Sequence, residues 1–152
     1  MLTESLGFSQ RKEARILVRI SGLKPLFLVV LLFFSGQEVK AQIPLKDVTY
    51  ISEGLIAAGM AIEIDNNCER VNVRLFRGLS FLTGLKRHAV DLGYSEGQID
   101  AYINDFKEKS RLEEIARKRL ADLGAVSGKT ETYCLVGIEQ IAEKTTLGSL
   151  LH

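Results

Sequence analysis

The sequence predicts an all-α domain of about five helices, tied by one disulfide and preceded by a secretory leader. Three observations carry that reading. Beyond residue 42, apolar residues recur at three- and four-residue steps and never alternate as paired strands would. No proline follows Pro44, so nothing there breaks a helix by removing an N–H donor. Gly93 and Gly124 stand where two of the periodic segments run out, the usual place for a left-handed helix cap.

The leader comes first. Arg11, Lys12, Arg15, Arg19 and Lys24 outweigh Glu4 and Glu13, and an unbroken apolar run from Leu26 to Phe34 follows. Val39-Lys40-Ala41 then offers small residues before a cut, so the expected domains are a signal peptide over 1–41, cleaved after Ala41, and a helical domain over 42–152. The apolar run falls well short of the roughly 20 residues that span a bilayer. Neither a twin arginine nor a cysteine near the cut points to the Tat route or to lipid anchoring. The expected address is therefore the periplasm, reached through the Sec route, with the membrane touched only through an uncleaved signal. The polar stretch ahead of Arg15 is long for a leader, which points to a start nearer Leu17 or Val18.

Residues 42–152 carry fourteen Lys or Arg and sixteen Asp or Glu, a net charge near −2. Such a balance lacks the basic footprint of a nucleic-acid binder, and no nucleic-acid partner is expected. The two cysteines, Cys68 and Cys134, are an even pair in an exported chain and read as a disulfide. Closing a loop of about 67 residues stabilises by roughly 4 kcal/mol on the chain-entropy account. They lack the C-x-x-C spacing of a redox pair.

The first helix is expected from about Leu45 to Asp65, with Val48, Ile51, Leu55, Ala58 and Ile62 as one stripe and Asp65-Asn66-Asn67 as its stop. The second, about Val71 to Leu92, carries Leu75, Gly78, Leu82, Leu85, Ala89 and Leu92 on one line and Phe76, Thr83 and Val90 on another. So wide an apolar arc predicts a central helix contacted from two sides. Ser95 through Gln98 matches a capping box, opening a short third helix that buries Ile99, Tyr102, Ile103 and Phe106. Ser110 and Glu113 repeat the pattern ahead of a fourth helix that runs to Leu123 with Leu112, Ile115, Ala116 and Leu120 inward. Its outer pairs, Glu113 with Arg117 and Glu114 with Lys118, read as a solvated face. A fifth helix, about Glu131 to Glu143, turns Cys134, Ile138 and Ile141 inward, and Leu147 to Leu151 makes one last helical turn.

His88 is the only histidine inside the helices, and the wheel puts it with Arg77 and Gly84, with Asp91 and Ser80 nearby. Here a carboxylate could orient an imidazole, but no nucleophile elbow accompanies the serine. One histidine with oxidised cysteines supplies too few ligands for a metal. Catalytic residues, a metal and a cofactor are therefore not expected. Arg70, Arg74, Arg77 and Arg87 make the second helix and its entrance basic. Their forks suit a carboxylate or a phosphate, and the plainer expectation is pairing with the acids of neighbouring helices, including Glu63, Asp65 and Glu69. Gly54, Gly59, Gly78 and Gly84 inside helices suggest close helix packing. The candidate binding face is Arg77, Gly84, Arg87 and His88. It favours a binding or accessory protein that meets another protein, with a small-anion binder or an enzyme using His88 as alternatives.

Several stretches carry a family resemblance. These are Arg77-Gly-Leu-Ser-Phe-Leu-Thr-Gly-Leu-Lys-Arg-His-Ala, Leu92-Gly-Tyr-Ser, Ile99-Asp-Ala-Tyr-Ile-Asn-Asp, Glu131-Thr-Tyr-Cys with Val136-Gly, and the Leu147-Gly-Ser-Leu-Leu tail. Together they resemble the exported alphaproteobacterial family catalogued as domain of unknown function 5333. The resemblance implies no activity. Genes of relatives sit among those for respiratory complex I, which implies a role accessory to a membrane (respiratory) complex.

Overall fold

The computed structural model describes residues 42–152, which close a core of their own. The expected signal peptide over 1–41, with its expected cleavage after Ala41, lies outside the described residues. The chain opens with a 3-10 turn over Leu45–Asp47, then forms α1 (Thr49–Asn67), α2 (Leu75–Asp91), α3 (Glu96–Ile103), α4 (Phe106–Asp122), α5 (Thr130–Ala142) and α6 (Thr146–Ser149). The fold is all-α, and the anticipated last turn is α6.

The central helix is α1, which corrects the expectation for α2. Here α4 packs along α1, and α2, α5 and α6 also lie against it. Ile51, Ile56, Met60, Ala61 and Ile64 are all buried, and they point to more than one side of α1. The single stripe read from the sequence misses this, and its last member, Ile62, is exposed. In α2 only Leu85 and Ala89 are fully buried. Leu85 enters a notch at Gly54, where a Cβ would stand 2.7 Å from both Leu85 methyls. The other apolar line of α2 faces away from the core.

Two clusters share the interior. One gathers Ile56, Ile64, Val71, Ala116, Leu120 and the leucines of the 147–151 segment around the cysteines. A smaller one joins Leu45, Val48 and Ile51 to Ala89, Tyr94 and Ile99. The disulfide forms as expected: Cys68, just past α1, bonds Cys134 in α5 with the Cα atoms 5.2 Å apart.

The ends of the helices follow local chemistry with three corrections. Val48 is extended, so the first helix begins at Thr49 and leaves Leu45–Asp47 as a separate turn. Residues 71–73 precede α2 instead of opening it. The Asn72 N–H donates to the His152 carbonyl at 2.9 Å, the reverse bond is 2.9 Å, and Val73 bridges Leu151. The fourth helix is capped by Asp105, whose carboxylate accepts from the N–H groups of Lys107 (2.8 Å) and Glu108 (3.1 Å), so Ser110 is interior. Its early start ends α3 at Ile103 and turns Phe106 outward, 80% exposed, where burial was expected; Ile103 and Ile138 are also exposed. The Ser95–Gln98 capping box is present, and Gly93 and Gly124 have φ of +90° and +103°.

Candidate functional site

Helices α2 and α4 both lie on α1, with a groove of about 910 Å³ between them. Residues one turn apart on α1 meet the same space, so Tyr50, Gly54, Ala57 and Met60 line it in series. Phe81 and Leu85 of α2 form one wall, and Arg119 and Leu123 of α4 the other. Gln140, Thr145 and Leu147 line it from the α5–α6 side. The lining is apolar within and polar at the rim, the usual composition of a binding site.

Two pairs of polar groups at the rim are already partnered. Arg119 donates to Glu53 through both guanidinium branches, at 2.5 and 2.8 Å. Those bonds hold the Glu53 carboxyl below its ordinary range and raise Arg119. Both side chains are close to half exposed, so the pair adds little stability and mainly joins α4 to α1. The Thr145 hydroxyl donates to the Gln140 side-chain oxygen at 2.9 Å. Among the described residues no group of His, Cys, Asp and Glu is placed to hold a metal.

The sequence-predicted face sits beside this groove. His88 is half-buried, and its ring lies 4.6 Å from that of Tyr50 at 59°. Tyr50 lines the groove, while His88, Asp47 and Thr49 line a hollow of about 410 Å³ at the same end. Gly84 has open space around it, so close helix packing explains Gly54 but not Gly84. Of the four arginines only Arg70 pairs, among the described residues, with an acid of a neighbouring helix, and it does so with Glu131 of α5 in place of Glu63, Asp65 or Glu69. Arg70 binds Glu131 at 2.6 Å, Glu63 receives Arg117 at 3.3 Å, and Asp65 accepts the Val73 N–H at 2.9 Å. Arg74, Arg77 and Arg87 make no ion pair among the described residues. Nor do Arg77 and Arg87 line the groove.

Sequence reasoning missed Glu53, Arg119, Gln140 and Thr145. The first two lie 66 residues apart, and no local pattern pairs them. The small residues Gly54 and Ala57, one turn apart on α1, were the available signal. The charged face of α4 likewise reaches across to α1 through Arg117 and Arg119, where only pairs within α4 were expected.

A family model described as "Family of unknown function (DUF5333)" matches residues 43–152. The chain belongs to that family. The match covers every helix of the DUF5333 domain described above and bears out the resemblance read from its motifs. No curated protein and no solved structure matches the chain.

Proposed function

We propose that this DUF5333 protein is an exported, non-catalytic binding protein whose groove between α2 and α4 receives a segment of another protein, as an accessory factor to a membrane complex. The single observation behind this reading is the groove itself: a largely apolar lining that includes Gly54 and Ala57, with Glu53 and Arg119, and Gln140 and Thr145, hydrogen-bonded to one another at its rim. Such a surface gains by covering apolar area and offers no reactive group at its centre. The buried disulfide supports an oxidising compartment, and the basic leader supports export to the periplasm. The family resemblance implies a role accessory to respiratory complex I, which makes the subunits of that complex the first partners to test.

The test is site-specific photo-crosslinking in the native cell from Ala57, on the groove floor, and from Glu114, on the outer face of α4. A discrete partner should couple to Ala57 and not to Glu114. The Ala57→Trp variant, which fills the groove, should lose that partner at an unchanged melting temperature. Equal labelling from both positions, or a stable Ala57→Trp variant that keeps the partner, would sink the reading.

Arg77 and Arg87, which make no ion pair among the described residues, favour a second reading, a small-anion binder. It predicts saturable phosphate binding that is lost in Arg77→Gln. Neither arginine stands in the groove, which is why this reading ranks second.

A further inference from the structure

The outward side of α2 is the largest feature that the groove does not use. Leu75, Phe76 and Leu79 are 65%, 87% and 55% exposed, and Leu82, Val90 and Ile103 of α3 are also exposed. Leu82 and Ile103 line a common pocket, so the patch continues from α2 onto α3. These side chains leave on the order of 600 Å² of apolar surface bare, at the upper end of what a soluble monomer shows in one patch. That is most of the roughly 800 Å² that each partner contributes to a standard interface.

Charge is segregated on the two sides of this ridge. Within α2 the basic residues up to Val90 are Arg77, Lys86 and Arg87 with no acidic residue, and of these Lys86 meets α3, whereas from Glu96 to Asp105 the chain has three acidic residues and no basic one. Lys86 contacts Glu96 at 2.5 Å and Asp100 at 4.0 Å, which places α3 along one edge of the ridge. Arg87, with no ion pair among the described residues, projects from the other edge of α2. The Glu96 and Asp100 side chains stay 66% and 63% exposed. A uniformly anionic bilayer would suit the arginine edge and repel the α3 edge.

We infer that the ridge pairs with a second copy of this chain, the two α2 helices running in the same direction. A two-fold axis parallel to α2 turns the ridge onto itself and exchanges the edges. Arg87 of each copy then faces the Glu96–Asp100 edge of the other, and each contact occurs twice, as an isologous interface requires. A two-fold axis across α2 would set the Arg87 edge against the Arg87 edge and the acidic edge against the acidic edge, and such like-charge meetings are disfavoured. The ridge and the groove occupy different sides of α2, so the dimer presents two open grooves.

The experiment is sedimentation equilibrium on a chain beginning at Gln42, whose core closes within residues 42–152, over a range of micromolar concentrations. Wild type should show a two-copy mass. Phe76→Glu and Leu79→Glu, both at exposed positions, should weaken the dimer at least tenfold with helical content unchanged. Arg87→Glu alone and Glu96→Arg/Asp100→Arg alone should each do the same. Mixing those two charge variants should restore a heterodimer, since both edges become complementary again. A wild-type monomer throughout, a dimer indifferent to Phe76→Glu and Leu79→Glu, or charge variants that fail to pair when mixed would each overturn the proposal. So would a monomer that binds vesicles of phosphatidylglycerol through Phe76. Crosslinking from Ala57 reads the groove separately, so the loss of one proposal leaves the other standing.

Discussion

Gly148→Ala should be among the most damaging single-methyl additions to this domain. A Cβ built on Gly148 would lie 1.9 Å from the Gln140 carbonyl oxygen, 2.3 Å from its carbon and 2.7 Å from the Ile141 nitrogen. Carbon and oxygen sit comfortably at about 3.3 Å or more, so one backbone must retreat by more than about 1 Å. Neither backbone moves freely. The Gly148 N–H donates to the Thr145 hydroxyl at 3.0 Å, and Gln140 is buried near the end of α5. Displacing α6 would also loosen Leu147, Leu150 and Leu151, which are 5%, 1% and 0% exposed. Full release of three leucines would cost about 5–9 kcal/mol at roughly 1.5–3 kcal/mol each. Partial release puts the expected loss near 3–5 kcal/mol. For a domain of this size that lowers the melting temperature by at least about 10 °C in a thermal scan followed by circular dichroism. Gly84→Ala is the control, because nothing stands within 4 Å of its Cβ position and helix propensity alone predicts a gain of up to about 1 kcal/mol. A Gly148→Ala variant within about 1 kcal/mol of wild type would refute the reasoning.

Four further outcomes are expected. Reducing Cys68–Cys134, whose partners lie 66 residues apart, should cost about 2–4 kcal/mol and leave most helical signal in place; free thiols at both positions in protein from its native compartment would contradict the pairing. His88→Ala should lower stability by no more than about 1 kcal/mol, the size of one aromatic contact with Tyr50, and a loss of several kcal/mol in urea titration would show that His88 belongs to the core. Hydrogen bonds from Arg111 and Arg119 hold the Glu108 and Glu53 carboxyls below their ordinary range, so their stabilisation is complete at neutral pH and fades as acid carries the pH down through those lowered values. Denaturant midpoints should then be flat down to about pH 5 and fall below it, less steeply in Glu108→Gln. On the proposed export, intact-mass measurement of the protein recovered from the periplasm should give a start at Gln42, and retention of Leu26 to Phe34 would contradict cleavage.

Local signals in the sequence proved legible. Ser95 and Gln98 stand three apart and cap each other, Gly93 and Gly124 take the left-handed turns, and two cysteines in one domain left one pairing. What was not legible depends on what comes to rest against each face. The wheel marks Phe76 and Leu85 alike as apolar, but only Leu85 meets a notch, at Gly54, and Phe76 is left 87% exposed. The same limit reversed the roles of α1 and α2, since apolar width does not reveal which helix the others pack around. Ser110 lost the cap to Asp105 because a carboxylate five residues earlier satisfies two N–H groups at once. The groove was invisible for a related reason: its walls come from α2 and α4, which the sequence holds apart.

The seam between residues 72–74 and 150–152 bears on the order of events when a chain emerges N-terminus first. Ile64 in α1 is wholly enclosed, and the leucines of residues 147–151 belong to the same cluster. Arg74 donates its N–H to the Leu150 carbonyl at 2.8 Å, so the α1–α2 corner is completed by a segment synthesised some seventy-five residues later. Until that segment arrives, α1 and the corner after it are an open half-shell. Such late-closing contacts slow folding, because a long loop must be ordered before they repay it. On the proposed export, that delay would keep the chain from locking into its final form while its latter part is still on the near side of a narrow channel.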